Sequence, residues 1–152
     1  MVAVRAATAA DADAVTAVFL AARAASMPWL PRVHSDEETR DWVEHVVLRR
    51  LRTWVAAEDD AVLGFATLGP GTLEHLYLRP DRLRQGIGSR LFRQAQAGSP
   101  GGFTLHVFAR NAPARAFYER HGCRVVATGD GSGNEEREPD VTYEWSAAYR
   151  CR

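Results

Sequence analysis

The spacing of hydrophobic positions changes period several times along the chain, and each change marks an element. Val2 and Val4 flank Ala3 and lead into Arg5, which predicts a short strand near a sheet edge. Val15, Val18, Phe19 and Ala22 recur at helical spacing behind Asp11 and Asp13. Either aspartate can cap that helix, and Pro28 stops it. Met27-Pro28-Trp29-Leu30-Pro31-Arg32-Val33-His34 contains two prolines and reads as a stiff loop that either packs its tryptophan on the core or walls a pocket. Ser35 and Glu38 have capping-box spacing, and Trp42, Val43, Val46 and Val47 supply the apolar stripe of a helix over 36–50.

Short β-branched and apolar runs follow. Residues 53–57 and 62–68, joined at Asp59-Asp60, predict an antiparallel hairpin, and Gly69-Pro70-Gly71 turns into a third strand over 73–78. The period then returns to helical over 87–97, with Ile87, Leu91, Phe92 and Ala95 on one face, until Gly98-Ser99-Pro100-Gly101-Gly102 ends it. Phe103, Leu105 and Val107 alternate with Thr104, His106 and Phe108 as in a strand. Strand, helix and strand at this separation fit a parallel crossover. Asn111 can cap a last helix over 113–121, with Pro113 in its first turn and Phe117 facing in, and Gly122 terminates it. Strands over 123–128 and 141–145 close the pattern, separated by a Gly-rich acidic connection over 129–140. The fold class is α/β with a mostly antiparallel sheet, in one domain over 1–145 followed by a tail over 146–152.

Composition narrows the function classes. The 152 residues are 46% hydrophobic and 25% charged, with zero formal net charge, which gives no general argument for nucleic-acid or membrane affinity. Two cysteines, Cys123 and Cys151, do not make a disulfide framework, and with the five histidines they show no metal-ligand spacing, so no metal is expected. No apolar run has membrane-spanning length and no apolar leader follows the N-terminal methionine; a reducing cytoplasm is the expected location.

Candidate chemistry concentrates near the middle of the chain. Arg79, Arg82, Arg84, Arg90 and Arg93 crowd a segment whose single acid is Asp81, and Gln85-Gly86-Ile87-Gly88 at its centre starts a helix. First-turn amides have no partner inside a helix, and the helix dipole adds positive potential there. Glycines let the backbone approach a ligand, and arginines add charged contacts to phosphate oxygens. A pyrophosphate site is one reading and a basic, solvated helix face is the other. The segment is no dinucleotide fingerprint, because Leu91 stands where the third glycine belongs, and no Gly-Lys-Ser/Thr follows to make a P-loop.

Residues 73–123 resemble the acetyl-CoA-binding core of the GNAT superfamily of N-acetyltransferases. The family pattern Gln/Arg-x-x-Gly-x-Gly/Ala falls on Leu83-Arg84-Gln85-Gly86-Ile87-Gly88; the glycines match, Leu83 departs from the leading Gln/Arg, and Arg84 stands where Gly is frequent. Asn111-Ala112-Pro113-Ala114-Arg115-Ala116-Phe117-Tyr118-Glu119-Arg120-His121-Gly122 is similar to the family's Asn-x-x-Ala-x-x-Phe-Tyr-x-x-x-Gly segment, although Cys123 follows where Phe is usual. The resemblance implies a sheet splayed between its fourth and fifth strands, and acetyl transfer from acetyl-CoA to a primary amine or peptide N-terminus by direct attack in a ternary complex. It implies cofactor contacts from Leu76, Tyr77, Leu78, Arg84, Gln85, Gly86, Ile87, Gly88, Ser89, Asn111, Ala114 and Tyr118. Tyr118 is the implied general acid and Glu74 the candidate base, with His75, His34 and the absence of any dedicated base as rival readings. Strand alternation puts Glu74 and His75 on opposite faces, so at most one reaches the pocket. Trp29, His34 and Glu135 are the candidate acceptor-side residues, in a setting whose acids suit a cationic amine. A non-catalytic acyl-CoA-binding module and transfer of a longer acyl group are the competing readings. A homodimer is also expected to be possible, formed through the final strand.

Overall fold

The structure is a computed structural model, and it describes residues 1–147. Seven strands and four α-helices follow the predicted order. The strands are β1 (Val2–Ala6), β2 (Arg52–Glu58), β3 (Ala61–Gly69), β4 (Thr72–Leu78), β5 (Phe103–Phe108), β6 (Arg124–Gly129) and β7 (Asp140–Trp145). The helices are α1 (Ala12–Ser26), α2 (Asp36–Trp42), α3 (Ile87–Gly98) and α4 (Ala112–Arg120). The sheet order is β1-β2-β3-β4-β5-β7-β6, antiparallel throughout except between β4 and β5.

Apolar surface on both faces of the sheet sets the layering. On one face Val15, Val18 and Phe19 of α1 and Val43 pack against Val55, Val62 and Phe65. On the other, Leu91, Phe92 and Ala95 of α3 and Tyr118 of α4 pack against Leu63, Leu68, Leu105 and Tyr143. Covered on both sides, β3 is buried over nearly its whole length, which explains its almost unbroken apolar run. Each fully buried Leu or Phe here contributes about 1.5–3 kcal/mol relative to exposure.

Three details depart from the sequence reading. The predicted helix over 36–50 is α-helical only as α2; Val43–Val47 form a wider π turn in which the Leu48 amide donates to the Val43 carbonyl at 2.9 Å. The wider turn takes Val46 off the core stripe, leaving Val43 and Val47 fully buried. Asp11 does not cap α1: its carboxylate turns back to the Thr8 amide at 2.8 Å and to the Arg5 guanidinium. The final strand cannot supply a dimer edge, because β7 is paired on both sides, to β5 and to β6. Among the described residues the free edges belong to β1 and β6, and β6 carries the exposed Val125 and Val126.

Candidate active site

Strands β4 and β5 pair only at Thr72 and Thr104, next to the turn where the Thr104 amide donates to the Gly71 carbonyl at 3.0 Å. Beyond that point they separate, and the β5-facing edge of β4 has no strand partner. The register fixes which groups line the gap. The Arg79 amide donates to the Leu63 carbonyl at 2.7 Å, and alternation then aims the main chain of Tyr77 at β3 and that of Leu76 and Leu78 at the gap. Of the three residues expected there, Tyr77 is spent on β3.

Helix α3 begins beside this gap. Its first internal bond runs from the Arg90 amide to the Gly86 carbonyl at 3.1 Å, so the amides of Ile87, Gly88 and Ser89 have no partner within the helix. Gly86 is the N-cap residue and brings no side chain to accept from these amides. The glycines serve different needs. Gly86 has φ +79° with open space around it, so its requirement is conformational. A Cβ on Gly88 would lie 3.3 Å from the Phe117 ring, so its requirement is close packing of α3 on α4. Arg84 is itself left-handed at φ 62°, the physical reason that glycine suits this position.

The neighbouring arginines are largely committed. Arg79 pairs with Asp81, Arg82 with Glu58 and Gln85, and Arg90 with the Val2 carbonyl. Arg84 has no hydrogen-bond or ion-pair partner among the described residues, so it is the exposed cation left at this end of α3.

Tyr118 lies in the core against Phe92 and Phe117, and burial holds its phenol proton on well above the ordinary range. Its hydroxyl has no protein partner among the described residues. Among the described residues no fully buried side-chain polar atom lacks a partner, so that hydroxyl keeps some access to solvent. Asn111 caps α4, accepting from the Ala114 amide at 3.3 Å, and this uses the Ala114 donor.

On the opposite face of β4 opens a cleft of about 990 Å³, lined by Phe19, Trp42, His75, Tyr77, Glu74 and Phe108 among others. Both Glu74 and His75 line it, contrary to simple alternation. A bulge is responsible: Thr67 pairs with His75 and Leu68 with Leu73, leaving Glu74 as the extra residue. Glu74 is exposed, and its carboxylate lies over Gly69. His75 sits 5.0 Å from the Trp42 ring, and burial, with Arg23 nearby, lowers its pKa to about 4. It is a neutral aromatic wall at physiological pH.

His34 and Glu135 meet at the cleft mouth, with Nε2 3.0 Å from a carboxylate oxygen. Trp29 does not line the cleft. Its ring lies under the Arg110 guanidinium at 4.4 Å and meets Phe108 edge-on at 6.2 Å, so it buttresses the wall from behind while Pro28 and Leu30 face in. The sequence reading missed the Arg23–Glu136 pair, the ring cluster of Phe19, Trp42, His75 and Tyr77, and the hydrogen bond between Ser89 and His121. Only the helical spacing of Phe19 and Trp42 hinted at any of these.

One potential metal-ligating group exists among the described residues. Single ligand atoms of Asp41, Glu44 and His45 lie within 4.8 Å of one another, although Glu44 is also held by Arg40. Cys123 is buried, and its thiol is pushed up to about 12; Cys151 lies outside the described residues. No helix among the described residues is long and apolar enough to cross a membrane.

Comparison with known proteins adds the following. A family model described as acetyltransferase (GNAT) domain matches residues 49–124. The peptidyl-lysine N-acetyltransferase YiaC of Escherichia coli is 33% identical over 85 residues, which are 55% of this chain and 58% of that protein, so the match spans little more than half of this relative. The solution structure of apo YjaB from E. coli superposes with a TM-score of 0.78 at 22% identity, covering 95% of this chain and 97% of that one. The Salmonella typhimurium yncA structure, solved with acetyl-CoA, superposes with a TM-score of 0.71 at 21% identity over 95% of this chain and 93% of that one.

Proposed function

The chain belongs to the acetyltransferase (GNAT) family, and on that premise we propose that it transfers an acetyl group from acetyl-CoA to a primary amine in a ternary complex. The observation that carries the reading is the parting of β4 from β5 directly beside an uncapped helix start, with an acid-rimmed cleft on the other side of the same strand.

The fit to acetyl-CoA rests on donor chemistry. The amides of Ile87, Gly88 and Ser89 and the Arg84 guanidinium offer donors and positive potential to phosphate oxygens. The main-chain edge at Leu76 and Leu78 offers donors to an extended, amide-bearing arm and to a thioester carbonyl. When bound, acetyl-CoA supplies the activated acetyl group. The chain's own residues align the partners and handle protons. Tyr118, kept protonated by burial, donates to the departing sulfur. Glu74, at the bulge, accepts a proton from the amine through water. Holding both substrates in one geometry supplies a large share of the rate.

The cleft lining holds Asp36, Glu38, Glu74, Glu135 and Glu136 against the arginines Arg23 and Arg32, which are paired to Glu136 and Asp36; the acids left in excess favour a cationic acceptor, and the apolar and aromatic wall suits an alkyl stem behind it. The activity named for the YiaC relative makes a peptidyl-lysine side chain the first acceptor to test, with a peptide N-terminus next. The neutral His75 and the displaced Glu74 favour, as a second reading, a module that binds acyl-CoA without transfer.

Calorimetric titration with acetyl-CoA, followed by an amine panel read out as free thiol, tests both. Binding with thiol release on one amine class supports the transferase. Binding without release on any amine favours the second reading, and absence of binding removes both.

A further inference from the structure

Ser89 and His121 form a hydrogen-bonded pair that the proposed chemistry does not use. Ser89 Oγ lies 2.8 Å from His121 Nε2, and His121 Nδ1 lies 2.7 Å from the Phe117 carbonyl oxygen. A carbonyl can only accept, so Nδ1 carries a proton. In the neutral ring Nε2 is then an acceptor, and the Ser89 hydroxyl must donate to it. The ring is held in place, stacked on Phe117 at 4.1 Å and meeting Phe92 at 5.2 Å. It faces Ser89 and Phe92 on α3 and Phe117 on its own helix side, and it has no ion-pair partner among the described residues. Of the arginines on α3, Arg90 is turned to the Val2 carbonyl, and Arg93, one turn beyond Ser89, is exposed and has no ion-pair partner among the described residues.

Ser89 is also the third residue of α3, where the amides lack partners. An anion there meets a hydroxyl whose hydrogen is already committed and which presents only lone pairs. One proton changes this. With Nε2 protonated, the ring donates to Ser89 Oγ, the Ser89 hydroxyl hydrogen is released toward the anion, and the imidazolium adds a positive charge behind it.

We propose that His121 is a positioning residue for the cofactor phosphates: it takes up a proton from solvent when they bind and thereby turns the Ser89 hydroxyl toward them. This rests on the acetyl-CoA reading of the site.

The test is calorimetric titration of the whole protein with coenzyme A near pH 7, in buffers of differing ionisation enthalpy, which reports protons taken up per ligand. Wild type is expected to take up a fraction of one proton and to bind more tightly as pH falls toward 6. His121→Asn keeps a donor near the Phe117 carbonyl but cannot titrate. It should lose that uptake and bind about tenfold more weakly at pH 6, the low end of what a hydrogen bond to a charged group is worth. Ser89→Ala should lose the coupling with the histidine intact. Subtracting either variant removes uptake by the ligand's own phosphate. Binding with no uptake in wild type, or with equal uptake in both variants, overturns the proposal and leaves the acetyl-CoA reading standing. Absence of coenzyme A binding overturns both.

Discussion

Arg23 on α1 and Glu136, in the loop leading to β7, form an ion pair of 3.1 Å between positions 113 residues apart. The two side chains are only 24% and 10% exposed, so the pair is shielded from solvent and joins one wall of the cleft to the other. Glu136→Gln keeps the shape and removes the charge, leaving Arg23 partly buried without a counter-ion. Thermal denaturation should show a loss of about 1–2 kcal/mol. In the transferase reading, KM for the amine should rise with KM for acetyl-CoA little changed, since the loop frames only the acceptor side.

Tyr118→Phe separates chemistry from folding. The hydroxyl has no protein partner among the described residues, so its removal should leave the melting temperature nearly unchanged. In the proposed role of Tyr118 as general acid, kcat should fall by roughly 10²-fold or more while coenzyme A affinity stays within about twofold. An unchanged kcat would remove the acid role.

The left-handed positions before α3 give a backbone test. Gly86→Ala meets no atom within 4 Å, so its cost is conformational, about 1–2 kcal/mol, and coenzyme A affinity should drop as the turn relaxes. Arg84→Gly runs the other way. It relieves a similar strain, but glycine's extra freedom when unfolded returns about 0.4–1 kcal/mol. The net gain in stability should therefore lie between about 0 and 1.6 kcal/mol. The lost guanidinium should still weaken coenzyme A binding, a split that calorimetry and melting curves read separately.

Stability should fall with acidity in two steps. His75 has a folded pKa of about 4 against an ordinary 6.5, so between these values the unfolded chain binds more protons. Stability therefore decreases as pH falls through that window, and the loss is complete below about 4. Asp11 is held below its ordinary 3.8, first by the Arg5 hydrogen bonds. Its contribution is present above that value and is lost as pH falls through the lowered one. Denaturant titrations across pH check both, and His75→Phe, which suits the aromatic surroundings, should flatten only the upper step.

The sequence by itself determined the elements and the local backbone of the helix start at which the cofactor is proposed to bind. Periodicity located the strands and helices, because side chains that face a core must repeat with the backbone's own period. Gly86 and Asn111 were legible because a left-handed turn before a helix start and a cap are local needs written in neighbouring residues, whereas the need for Gly88 comes from Phe117 on a distant helix. Tertiary structure decided what depends on contacts between distant segments. The bulge in β4 brought Glu74 and His75 to one cleft, since only pairing with β3 reveals which residue is extra. Trp29 left the cleft because Arg110 and Phe108, far along the chain, offered its ring better contacts. Arg23 met Glu136, His121 met Ser89, and β7 was enclosed between β5 and β6 for the same reason. Which surfaces meet is settled by packing the whole apolar inventory at once, and no local pattern carries that information.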